Sequence, residues 1–163
     1  MKKPVSSVKI SLFFLFFFLL TGCVLGTKLD ANAKLAKEHL LKQGYSVTSY
    51  KGSRIYKFER QDLVELPHKS IWTLQSVKPD EFIGKELVEE RFIVKNHPVG
   101  KIYKSKVMIN VYIYDGEVIG GTSYPAVDGL VGWGYSLDGK TAEELRGNDF
   151  QKWSAEWNET YGE

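Results

Sequence analysis

The chain has 163 residues and a formal charge of only +2, so it lacks the basic surplus that binds nucleic acid. A single cysteine leaves no intrachain disulfide and no multi-cysteine zinc site. The fold must therefore rest on packing of its 43% hydrophobic residues.

Lys2, Lys3 and Lys9 precede and flank an apolar run from Ile10 to Leu20 that contains five Phe and one polar residue, Ser11. A basic start, a short apolar stretch and small residues behind it form the layout of a secretory signal. The run is well short of the ~20 residues of a membrane-spanning helix. It also lacks the polar face of an amphipathic core helix. It closes on Leu20-Thr21-Gly22-Cys23. This string resembles the lipobox of bacterial lipoproteins: an aliphatic residue, two small ones, then a cysteine whose thiolate takes the lipid.

The resemblance implies that residues 1–22 are removed. Cys23 then becomes an N-terminus carrying covalent diacylglycerol and an N-acyl chain, with no other cofactor. It implies a lipid anchor in the bilayer on the extracytoplasmic face of the cell membrane, or in the outer membrane of a Gram-negative cell, since Val24 is not the Asp of the inner-membrane retention signal. Residues 23–28 form the lipidated end and a short tether, and 24–28 reach at most ~17 Å. Residues 29–163 are expected to form one domain. Without the three signal lysines the chain has 19 basic and 20 acidic residues, a net charge of −1, and 13 of its 17 remaining aromatics are Tyr or Trp.

Thr27 or Asp30 is placed to cap a first helix, whose stripe is Leu29, Ala33, Ala36 and Leu40 and whose stop is Gly44. "YSVTSYKGSRIYKFER" reads as two strands turning at Lys51-Gly52-Ser53. One helical turn is expected near Ile71–Leu74, between Pro67 and Pro79. "KELVEERFIVKNHP" reads as a strand halted by Asn96-His97-Pro98, and Asp115-Gly116 as a hairpin turn between alternating runs. Gly120-Gly121 marks a bulge or a close backbone approach. Trp133–Leu137 reads as a strand turning at Asp138-Gly139. Asn148 with Gln151 suggests a capping box for a last helix bearing Phe150, Trp153, Trp157 and Tyr161. That aromatic stripe is read as core, with cofactor or membrane contact as the other reading. The expected class is α+β: an antiparallel sheet of five to seven strands with a helix near each end of the mature chain.

Catalytic signals are sparse. Ser123 and Ser136 are not in G-x-S-x-G, and His39, His68 and His97 show no metal-ligand spacing. Adjacent strand residues Glu89 and Glu90 must face opposite ways. Glu144 fits a capping box with Thr141. "GLVGWGYSLDGK" lacks the Lys-Ser/Thr of a phosphate loop. Two features point to binding instead. Lys95, Lys101, Lys104 and Lys106 lie in a stretch without acids, either guarding strand ends or facing an anionic surface. Tyr124, Trp133 and Tyr135, set among glycines, are candidate ligand contacts through ring stacking.

"VKNHP", "DGEVIGG" and "YSLDGKT" make residues 30–161 similar to small uncharacterised lipoproteins of Gram-positive spore-formers, a resemblance that implies no activity. The expected function is non-enzymatic: a membrane-anchored adaptor, ligand-binding or envelope-maintenance module. Its expected partners are the bilayer and an envelope protein or anionic wall polymer, not nucleic acid. The alternative is a serine-dependent cell-wall or peptide hydrolase using Ser136 or Ser123 with His97.

Overall fold

The computed structural model describes residues 29–127, 134–147 and 149–162. Their backbone forms one antiparallel sheet in the order β1 (Ser46–Tyr56), β2 (Leu87–Lys95), β3 (Val107–Tyr114), β4 (Glu117–Pro125) and β5 (Tyr135–Ser136). Each strand pairs with its neighbour in sequence. Helices α1 (Ala31–Lys42), α2 (His68–Thr73), α3 (Pro98–Tyr103), α4 (Ala142–Arg146) and α5 (Phe150–Tyr161) complete an α+β fold, with a helix at each end of the described chain. The five strands lie within the expected range.

The period-2 alternation of β2 and β3 gives the sheet two different faces. Phe92, Val94, Val107, Ile109, Val111 and Ile113 point to one, which α1 covers with Ala33, Ala36 and Leu40. The two alanines let the helix sit close to the strands. Asp30, not Thr27, is the cap: its carboxylate accepts from the Ala33 N–H at 2.8 Å. Gly44 ends the helix region with a φ of +84°, a left-handed conformation that glycine tolerates best.

The opposite face carries Leu87 and Tyr112, joined by Tyr56, Phe58, Leu63, Ile71, Trp72, Phe82, Trp157 and Tyr161. This second core is aromatic. It is assembled from the irregular segment 58–83 and from α5, whose Trp157 indole donates to the Leu63 carbonyl at 2.7 Å.

Three local readings need correction. Lys51-Gly52-Ser53 does not turn the chain. β1 runs straight through it, because the register steps from Tyr50 opposite Phe92 to Ser53 opposite Glu90. Lys51 and Gly52 thus face Arg91 alone, a bulge in which Gly52 takes a φ of +91°. A bulge and a hairpin turn demand the same glycine, so the residue type alone does not separate them. The lysine segment after β2 contains α3, with Pro98 at its first position and the His97 ring nitrogen Nδ1 accepting from the Val99 N–H at 3.2 Å. The proline that halts β2 also starts a helix. Finally, α5 is capped by Asp149, whose Oδ1 accepts from the Lys152 N–H at 3.0 Å; Asn148 lies outside the described residues.

Asp115-Gly116 forms the hairpin with both φ angles positive, +49° and +76°, as a type I′ turn requires. Gly120-Gly121 is a close approach, and the register shift falls one residue earlier, at Ile119, which is left unpaired between Val118 and Gly120. The Gln75 side chain lies where a Cβ on Gly120 would be, and its amide accepts from the Gly121 N–H at 2.8 Å and donates to the Gly121 carbonyl at 3.2 Å. Because β5 pairs only with Thr122 and Ser123, Gln75 continues the ladder along the outer edge of β4 as a single side-chain rung.

Candidate functional site

The expected aromatic trio is not one site. Tyr124 pairs in register with Met108 and lies on the aromatic face, whereas Tyr135 pairs with Ser123 and packs on the aliphatic side. Trp133 lies outside the described residues, as does Cys23. Burial pushes the Tyr124 hydroxyl pKa up, and its ring fills the space where a side chain on Gly134 would stand. The Tyr135 hydroxyl meets that of Tyr103 at 2.7 Å, a bond that, more than burial, moves its pKa up to about 12.

Tyr103 belongs to the lysine corner, a more coherent surface. It is built from α3, the start of β3 and the end of β4, tied together where the Ala126 N–H donates to the Lys106 carbonyl at 2.8 Å. Lys101, Lys104 and Lys106 are exposed here, and Lys95 is exposed at the end of β2. None of the four has a carboxylate partner among the described residues. Between them stand large apolar groups in solvent: Ile102 is 65% exposed, Val127 47% and Tyr103 38%. Lys104 is a left-handed residue (φ +51°) that ends α3 and turns the chain so that Lys101 to Lys106 stay outside. The sequence shows the charges. It hides the exposure of Ile102 and Val127, which depends on α3 presenting Val99 inward as its one buried residue.

The serines and histidine of the hydrolase alternative are close in the fold but turned to other uses. Ser123 Oγ donates to the Ser136 carbonyl at 2.8 Å; Ser136 Oγ donates to Asp138 at 2.5 Å and accepts from the Lys140 N–H. His97 is 1% exposed, with one ring nitrogen accepting from Val99 and the other donating to the Leu137 carbonyl at 3.1 Å. Both nitrogens are therefore occupied, and neither reaches a serine. Burial lowers the His97 pKa more than Leu137 and Asp138 raise it. His68 meets the Tyr56 hydroxyl, and His39 meets Gln43. No group of three His, Cys, Asp or Glu suited to a metal occurs among the described residues.

The aromatic stripe of α5 divides. Trp157 and Tyr161 are core, while Phe150 and Trp153 are half-buried. Trp153 lies under the Arg146 guanidinium, 5.1 Å from ring centroid to Cζ. That guanidinium donates to the carbonyls of Thr73, the last residue of α2, and of Gln75 just beyond it. Glu144 and Thr141 do close a capping box, on α4.

Glu89 and Glu90 face opposite ways, as expected, and both are fully buried, which was not. Glu90 accepts from the Tyr50 hydroxyl at 2.8 Å; burial and this carboxylate move the Tyr50 pKa up to about 12. Glu89 lies on the other face and accepts from Arg54 Nε at 2.6 Å through one oxygen. Beside it stand Arg91, Asn110, Tyr112, Thr122 and Tyr124, a polar row that residue spacing did not single out. Its signal was the placement of charged and amide residues in the same alternation as Tyr112 and Tyr124. No protein family, no curated protein and no solved structure matches the chain.

Proposed function

We propose that the protein is a lipid-anchored, extracytoplasmic module, non-enzymatic in its action, that rests on an anionic membrane surface through the corner formed by α3. The observation that carries this reading is the mixture at that corner: Lys101, Lys104 and Lys106, without a carboxylate partner among the described residues, around exposed Ile102, Tyr103 and Val127. Lysines near an anionic surface contribute on the order of 1 kcal/mol each. Exposed aliphatic and tyrosine side chains add apolar contact at the head-group boundary, where amphipathic groups settle.

Geometry supports the orientation. The 12 residues of α1 span roughly 18 Å, and the helix leads into the start of β1, the strand end that pairs with Lys95. The tether joins the opposite end of α1. Its reach of at most ~17 Å is comparable with the helix length, so an acylated Cys23 and the lysine corner can meet one bilayer. The occupied hydroxyls of Ser123 and Ser136 and the occupied ring of His97 favour a binding role over the hydrolase alternative.

The test has two arms. Mass spectrometry of the membrane fraction should find acylated Cys23 as the N-terminus; an unmodified chain that stays membrane-bound as Cys23→Ala contradicts the anchor. Without residues 1–23, the domain should sediment with vesicles containing anionic lipid, release as salt rises, and lose most low-salt binding when Lys101, Lys104 and Lys106 become Gln. Binding unchanged by those substitutions removes the docking surface.

A further inference from the structure

Three buried polar atoms without hydrogen-bond partners among the described residues cluster on one face of two adjacent strands: Glu89 Oε1, Arg91 Nε and Asn110 Oδ1. Glu89 and Arg91 are two residues apart on β2 and so share a face; Arg91 pairs in register with Asn110, and Glu89 with Tyr112. Thr122 lies opposite Asn110, and Tyr124 opposite Met108, which extends the same row across β4. Glu89 is 0% exposed and Asn110 9%. Orphaned buried groups of this kind destabilise a fold, and three in one patch are a concentrated cost for a stable sheet. Their partners within the row are weak: Asn110 Nδ2 reaches Thr122 only at 3.4 Å, and Tyr112 reaches the same hydroxyl at 3.5 Å.

We propose that this face of β2, β3 and β4 is a binding site for a small carboxylate that also carries hydroxyl or amino donors. Each free atom specifies part of the ligand. Glu89 Oε1 and Asn110 Oδ1 accept, so they call for O–H or N–H groups. Arg91 Nε donates, and with Arg54 the row holds two guanidiniums against the single carboxylate of Glu89, so the complementary ligand carries negative charge. Same-face residues on a strand are ~7 Å apart and cross-strand neighbours ~5 Å. The donors and the carboxylate must therefore lie within one small molecule. Tyr124, half-buried, gives the row an aromatic wall. Entry is over Arg54, whose side chain is 55% exposed although the Glu89 it holds is not. The site does not depend on the lipid anchor or the lysine corner.

The experiment is isothermal titration of the full-length protein in detergent with serine, lactate and glucuronate, beside acetate and ethanolamine, which each present only half of the required chemistry. At least one of the first three should bind with saturation, and at least tenfold more tightly than either half-ligand. Arg91→Gln and Asn110→Leu should each weaken that binding at least tenfold, with folding checked by circular dichroism. Tyr124→Phe, which keeps the ring, provides a milder variant if either fails to fold, and should weaken binding measurably. Lys101→Gln with Lys104→Gln should leave it unchanged, which separates this site from the membrane surface. Absence of saturable binding overturns the proposal, and a higher melting temperature for Asn110→Leu would then mark the row as a structural cost satisfied by enclosed water. Binding that survives Arg91→Gln and Asn110→Leu equally overturns it, since the ligand then sits elsewhere.

Discussion

The two faces of the sheet are built from the same strands and differ in what covers them. The α1 face is filled mainly by one helix carrying two alanines and a leucine, all 0% exposed, with Val99 of α3 and Tyr45 beside it, against valines, isoleucines and Phe92. The other face is filled piecemeal: by rings packed on rings at one end, Tyr56 stacked on Phe58 and Phe58 tilted against Trp72, and by polar side chains in the row from Glu89 to Tyr124. Aliphatic packing is non-directional, and its strength follows the apolar area removed from water. Polar side chains contribute only when every donor and acceptor is matched; among the described residues three atoms of the row are not, against one on the α1 face, Glu90 Oε1. The first face is therefore where stability resides. The second is where stability is given up, and a binding site is the physical reason to give it up.

The largest effect should come from the first face. Leu40 is fully buried where α1 crosses the sheet. Leu40→Ala leaves a cavity that close neighbours on a rigid sheet cannot collapse into, and should cost about 2–5 kcal/mol in urea unfolding. Tyr124→Phe on the other face should cost well under that. If the two variants lose equal stability, the division of labour between the faces is wrong.

A smaller effect tests the edge that both faces share. Gln75→Ala removes the rung that pairs the Gly121 N–H and carbonyl. It should cost roughly 1–3 kcal/mol, the penalty for an unpaired buried backbone group. Amide exchange at Gly121 should accelerate more than at Thr122, which β5 still covers. Uniform acceleration along β4 would show that Gln75 acts through general packing instead.

The first face was far more legible in the sequence than the second. Ala33, Ala36 and Leu40 recur at helical spacing, and Val107 to Ile113 alternate, so periodicity alone placed the helix and the strands it covers. The hairpin at Asp115-Gly116 was legible because a type I′ turn demands positive φ at both positions. The second face depends on contacts distant in sequence, such as Trp157 to Leu63 and Gln75 to Gly121, which leave no local period. The split of Tyr124 from Tyr135 followed from strand register, which the 10 residues between them do not reveal. At the lysine corner the charges were legible and the helix was not, since Pro98 fits both the end of a strand and the first position of a helix. Burial of Glu89 and Glu90 ran against their composition, as polar residues in sheets usually mark the solvent side.

The smallest effect concerns His97, which joins the first face to the turn after β5. Its ring packs on Tyr45 with centroids 4.6 Å apart and is held neutral between Val99 and Leu137. Burial is the main reason its folded pKa lies below the ordinary 6.5, while the nearby Asp138 and the Leu137 carbonyl pull the other way. A lowered pKa means that the unfolded chain takes up the proton first as pH falls. Stability is therefore full above pH 6.5 and declines below it until the folded ring also protonates, with a slope of at most about 1.4 kcal/mol per pH unit for one proton. His97→Asn removes the titration yet keeps a good helix cap for α3, so its profile between pH 7 and 5 should flatten relative to wild type. His39, whose pKa is also lowered by burial and by Lys42, supplies the control: His39→Gln should remove its own contribution and leave that of His97. If His97→Asn retains the wild-type slope, the acid sensitivity of the fold lies elsewhere, and the buried ring is a packing element alone.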